Sequence, residues 1–259
     1  MANLKHLINW KLFGILLVAC VLSVIAVLPY TLTLQGDLLK GLPISLYALL
    51  VAQVLQNALI FALFIFVGLY LGERVGLGVP ILKGWLNNEE VKSYFKSILG
   101  ISILSGVGAG VLIIALDIVF GIIHPLRIAQ TSAVIPPAWQ GFLASFYGGI
   151  GEEVAMRLCL MTLLAWVFWR IKSTREGTPT NEGMWLAIVG AAVIFGLGHL
   201  PTTAAVMEIT PFIVARAVIL NGVGGVIFGW LYWKKGLESA MISHFSADIV
   251  LHVLLPLLI

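Results

Sequence analysis

Trp139-Gln-Gly-Phe-Leu-Ala-Ser-Phe-Tyr-Gly-Gly-Ile-Gly-Glu-Glu-Val-Ala-Met-Arg-Leu-Cys-Leu-Met-Thr-Leu-Leu-Ala-Trp-Val-Phe-Trp169 is long and apolar enough to cross a bilayer, yet it carries the adjacent carboxylates Glu152 and Glu153 and the cation Arg157. Charges at membrane depth are expensive, so a spanning helix that keeps them points to a functional site. Two later stretches carry matching polar groups: Phe195-Gly-Leu-Gly-His199 and His244-Phe-Ser-Ala-Asp248.

Working outward, the remainder of the chain has the same apolar character. Of its 259 residues, 60% are hydrophobic and 10% charged, against about 25% charged in soluble domains. Repeated apolar runs of spanning length define a polytopic membrane protein. The runs fall at 12–33, 44–72, 97–123, 139–169, 184–199, 212–233 and 238–258, separated by short connections rich in Gly, Pro, Asn and charge. The first run lacks a small-x-small cleavage site before Pro29 and is read as a retained span. The fold class is therefore all-α, a transmembrane helical bundle of about seven to eight spans enclosing a polar cavity. Residues 1–138 supply the amino-terminal spans and an interfacial loop, and 139–259 supply the catalytic core of the same membrane domain.

The net charge of +3 is spread over short connections, which argues against a nucleic-acid partner. Cys20 and Cys159 both lie in apolar spans and are read as small packing residues. Basic residues alternate between connections: Lys5 and Lys11, then Arg74, Lys83, Lys92 and Lys96, then Arg170, Lys172 and Arg175, then Lys234 and Lys235. The intervening connections hold little beyond Lys40 and Arg127. By the positive-inside rule the amino terminus is cytoplasmic and the spans number seven. Depth argues for an eighth. At a rise of about 1.5 Å per residue, His199 falls near the far end of its span and His244 only about 9 Å into its own. A broken pass at 201–218 would bring the two histidines together, and irregular backbone is tolerated where it lines a wet cavity.

In the 73–96 connection, Trp85 and the Glu89/Glu90 pair read as an interfacial helix and a solvated helix start. Asp117, alone in the third run, is expected to pair with a basic group or to cap a helix.

On one helix, Glu153 and Arg157 are four residues apart in the favourable acid-before-base order, which lowers the cost of burying both. Glu152 is rotated about 100° away and is free to act as a general base. His199 sits one turn after Phe195, where it could orient a water or bind a metal; a structural hydrogen bond is the plainer reading. His244, Asp248 and His252 form a polar stripe at four-residue spacing. It could be an interhelical hydrogen-bond seam, or it could face the same cavity as Glu152 and His199.

Taken together, Glu-Glu-x-x-x-Arg at 152–157, Phe-x-x-x-His at 195–199 and His-x-x-x-Asp at 244–248 resemble the motifs of the CPBP membrane proteases. That family includes the type II CAAX prenyl endopeptidases and the bacterial Abi proteins. The Gly-rich stretch from Phe228 through Ser239 ahead of His244 is similar to the family's as well. The resemblance covers roughly 139–256. It implies an intramembrane endopeptidase in which Glu152 activates water, His199 shares or orients it, and His244 and Asp248 donate to the oxyanion. Glu153 and Arg157 would support that geometry. Relatives often carry Asn at the position of Asp248, and a carboxyl donates a hydrogen bond only when protonated. An ionised Asp248 would instead orient His244 or help to bind a metal.

Glu152, His199 and His244 could hold a divalent metal such as zinc, although no His-Glu-x-x-His spacing is present. Beyond such a metal, no cofactor is expected. The expected partners are a peptide or prenylated protein substrate and membrane lipid, and the expected location is the plasma membrane of a prokaryote. The competing reading is a small transporter or channel that uses buried Glu, Arg, His and Asp as an ion or proton path. The absence of inverted repeats counts against it. A catalytically silent protein that retains the fold is a third reading.

Overall fold

A computed structural model describes residues 8–39, 44–124, 135–204 and 207–258, with side chains described as far as residue 34 in the first segment. Lys5, His6, Lys40 and Arg127 lie outside the described residues. The helices are α1 (Trp10–Leu39), α2 (Leu46–Val75), a short α3 (Pro80–Leu86) and α4 (Lys92–Ile123). A long span from Ala138 to Ile171 follows, made of α5 (Ala138–Phe146), two π-helical stretches (Tyr147–Glu152 and Val154–Met161) and α6 (Thr162–Ile171). After it come α7 (Asn181–Gly198), the short α8 (Leu200–Ala204) and α9 (Pro211–Lys235). The last span joins α10 (Leu237–Asp248), a π-helical stretch (Ile249–Leu254) and α11 (Leu255–Leu258).

Among the described residues, seven helical spans are long and apolar enough to cross a membrane. A helix satisfies its own backbone groups, which is what a lipid environment demands. The extra pass considered at 201–218 is absent from the described residues: α8 ends at Ala204, and Pro211 already opens α9. The architecture is a polytopic helical bundle, and the chain is a multi-pass integral membrane protein.

Helix ends follow their local chemistry. The Thr180 and Thr210 hydroxyls accept the backbone N–H groups of Gly183 and Ile213, capping α7 and α9. Glu90 accepts from the Lys92 and Ser93 backbone and from the Ser93 hydroxyl, so it opens α4 as an acid at a helix start should. These bonds, the Ser93 hydroxyl foremost, hold its carboxyl below the usual carboxylate range. Gly76 ends α2 at a φ of 71°, and Gly236 turns the chain between α9 and α10 at a φ of 88°, conformations that L side chains avoid.

Small residues let the spans approach closely. Gly225 of α9 lies against Ala192 of α7, and Gly106 of α4 lies against the Ser243 backbone of α10. Ser102 and Ser239 hydroxyls bond across α4 and α10 at 2.7 Å. Asp117 accepts from Arg216 Nε at 2.7 Å, joining α4 to α9, so the lone acid of the third run does pair with a base of the bundle.

Candidate active site

The span that carries Glu152 is π-helical from Tyr147 to Met161 apart from Glu153, where the sequence alone suggested a regular helix. Widened turns of this kind recur at functional sites. Three glycines lie in the first widened segment. A Cβ on Gly148 would run into the Asp248 carboxylate and lie 3.1 Å from His244 Nε2; one on Gly149 would lie 3.0 Å from the Met241 carbonyl. The glycines therefore let this backbone press directly on α10 and bring the carboxylates to His244.

Glu153 and Arg157 pair at 3.1 Å with side chains 0% and 2% exposed. The four-residue spacing survives the change of helix type. Arg157 also donates to the Gly225 carbonyl at 3.3 Å, and its guanidinium lies over the rings of Phe195 and Phe228 at 5.1 and 5.5 Å. A buried cation is thus surrounded by a counter-charge, a carbonyl and two aromatic faces.

Glu153 has a second partner that helix spacing does not reveal. His244 Nδ1 lies 2.7 Å from Glu153 Oε1. An ionised carboxylate only accepts, so Nδ1 carries the proton and donates it to Glu153. The other ring nitrogen, Nε2, lies 3.7 Å from Glu152 Oε2 and 3.6 Å from Asp248 Oδ1. Phe228 stacks on the imidazole at 4.7 Å between centroids. His244 is therefore oriented by Glu153 and Phe228.

Glu152, with its side chain 24% exposed, faces a cavity of about 730 Å³. His199, His244, Asp248 and His252 line the same cavity. His199 Nδ1 bonds to the Phe195 carbonyl at 2.8 Å. A carbonyl cannot donate, so in neutral His199 the lone pair is on Nε2. Among the described residues, no hydrogen bond or ion pair joins His199 to Glu152. The two histidines are linked through Phe195, whose ring contacts the His199 ring at 4.6 Å and the His244 ring at 5.8 Å. Both histidines line one cavity in a bundle whose described residues supply seven spans, so no eighth pass is needed to bring them together.

Phe228 enters the sequence reading only as the start of the stretch ahead of His244, and Tyr30, whose hydroxyl bonds His252 Nδ1 at 3.3 Å, does not enter it at all. His252 Nε2 in turn lies 3.9 Å from Asp248 Oδ1. The first span thereby supports the site rather than serving only as apolar scaffold. Among the described residues, no group of three or more His, Cys, Asp or Glu side chains is arranged to hold a metal ion. Glu152, His199 and His244 do not form a ligand set in this geometry.

What the arrangement offers is a carboxylate open to a cavity, an imidazole fixed by a second carboxylate, and a carboxyl beside it. Such groups can take a proton from water and stabilise charge on a polarised carbonyl. The family model described as type II CAAX prenyl endopeptidase, Rce1-like, matches residues 134–250 and supports the CPBP/CAAX protease family. No curated protein and no solved structure matches the chain.

Proposed function

From the premise that residues 134–250 make this chain a member of the CPBP/CAAX family of membrane proteases, we propose that it hydrolyses peptide bonds with Glu152 as the general base. Glu152 takes a proton from the attacking water, and His199, through its free Nε2 lone pair, orients that water. His244 donates to the developing oxyanion from Nε2 in its imidazolium form, with the Nδ1 proton held by Glu153. Asp248 donates when protonated and otherwise holds His244 in place. Glu153 and Arg157 maintain the geometry. The proton taken by Glu152 passes to the leaving amine, which closes the cycle without a covalent intermediate.

One observation carries this reading: His244 Nε2 stands between Glu152 Oε2 and Asp248 Oδ1, at 3.7 and 3.6 Å, in the wall of a large cavity. The substrate is a peptide or a prenylated protein segment at the membrane, and the plasma membrane of a prokaryote is the proposed location. The ion-path alternative has less support, because the polar groups end in a tightly packed layer beneath His244, where Tyr232, Leu237 and Ala240 are 1%, 0% and 0% exposed.

The test is incubation of the purified protein in detergent with a farnesylated CAAX peptide and with its unprenylated counterpart, products being identified by mass. Cleavage of either peptide at an internal bond is expected. Intact peptides together with ion flux through reconstituted vesicles would overturn the proposal in favour of a transport role.

A further inference from the structure

The site lies close to one end of the bundle, but its cavity runs toward the other. At roughly 1.5 Å per residue, His244 is about 10 Å along the helix from Leu237, beside Lys234 and Lys235. That short distance is filled. Leu237, Ala240 and Met161 are each 0% exposed, and Tyr232, 1% exposed, bonds through its hydroxyl to Thr162 at 2.8 Å. The α3 segment closes over this end: the Gly78 carbonyl accepts the Leu237 N–H at 3.0 Å, and Glu238 accepts the Leu82 N–H at 2.8 Å. In the opposite direction, among the described residues, the cavity continues past the active groups to Leu34, Asp117, Thr202, Arg216 and Leu255. These residues lie toward the far ends of α1 and α4, in α8, near the start of α9, and in α11.

Charge tells the two ends apart. The basic clusters Arg74 to Lys96, Arg170 to Arg175 and Lys234/Lys235 all belong to the closed end. Short connections rich in Lys and Arg stay in the cytoplasm. We infer that substrate enters from the extracytoplasmic face, so that the protein acts on segments of exported or membrane-anchored chains exposed there, not on cytoplasmic tails. The nature of the substrate rests on the endopeptidase reading; the direction of entry rests on the packing and the charge distribution alone. The polar wall suits an extended peptide. The Asp117–Arg216 pair toward the mouth, Asn221 further along α9 and His199 all line it, supplying donors and acceptors for a backbone that must leave water.

Cysteine labelling in intact cells tests this. Both native cysteines are buried, Cys20 at 0% and Cys159 at 8% exposure, which keeps the background low. Thr202→Cys and Leu255→Cys at the mouth, and Lys234→Cys at the closed end, are treated with a membrane-impermeant maleimide before and after permeabilisation. Either mouth variant suffices if the other does not accumulate. The inference expects label at the mouth positions in intact cells and at Lys234→Cys only after permeabilisation. Mouth positions that react only after permeabilisation overturn it. Labelling is independent of turnover and is repeated in a Glu152→Gln background. An inactive wild-type protein that still labels from outside would therefore count against the endopeptidase reading and leave the direction of entry standing.

Discussion

His244 is flanked on both edges by acids from the same span: Nδ1 bonds Glu153 Oε1 at 2.7 Å, and Nε2 lies 3.7 Å from Glu152 Oε2. Adjacent carboxylates thereby take different duties. Glu153, 0% exposed, joins Arg157 and His244, while Glu152 looks into the cavity.

That division predicts opposite phenotypes for two neighbouring substitutions. Glu153→Gln leaves the buried Arg157 without its counter-charge and should cost about 3–5 kcal/mol of stability, the range for breaking a buried pair. Glu152→Gln should change stability by less than about 1 kcal/mol, because its carboxylate already faces the cavity. Thermal unfolding of the two purified variants in one detergent measures the difference. Equal destabilisation would contradict the assignment.

Gly148→Ala should abolish activity while preserving helix content, because the new methyl group would occupy the position of the Asp248 carboxylate. Gly100→Ala is the control, since a Cβ there meets nothing within 4 Å. Circular dichroism and peptide cleavage read the two properties separately. A fully active Gly148→Ala protein would show that Asp248 need not sit where it does.

Phe228→Leu retains an apolar side chain but removes the ring that stacks on His244 and underlies Arg157. Turnover should fall more than substrate affinity, as expected for a group that positions the imidazole rather than binding peptide. The lost cation–π contact at a desolvated site adds about 2 kcal/mol of destabilisation. A rise in KM at unchanged kcat would instead assign Phe228 to the substrate wall.

Much of this was legible in the sequence, and the missing parts share a physical cause. Glu152, His199, His244 and Asp248 stand out because ionisable groups contrast with apolar spans, and the Glu153–Arg157 pair follows from four-residue spacing along one helix. Phe228 and Tyr30 have no such contrast: an aromatic residue among Leu, Ile and Trp reads as core whatever it touches. The Glu153–His244 bond joins positions far apart in the chain, where local periodicity carries no information. The π-helical turns at Tyr147–Met161 left a trace only in the glycines, whose purpose is visible once α10 is seen against them. Depth along straight helices separates His199 from His244, yet one cavity of about 730 Å³ is long enough for both to line it without an eighth span.

A chelator should leave peptide cleavage unchanged, because Glu152, His199 and His244 are not arranged as a ligand set and the proposed base acts on water directly. Cleavage lost on chelation and regained with zinc would convert those residues into ligands and displace the general-base account.

The most direct test of the central claim is single-turnover cleavage of a peptide by wild-type protein and by Glu152→Gln, at equal and saturating substrate. Removing a general base should slow the chemical step by about 10²- to 10⁴-fold while substrate binding is retained. A Glu152→Gln protein that cleaves at the wild-type rate would contradict the claim that this carboxylate activates the water.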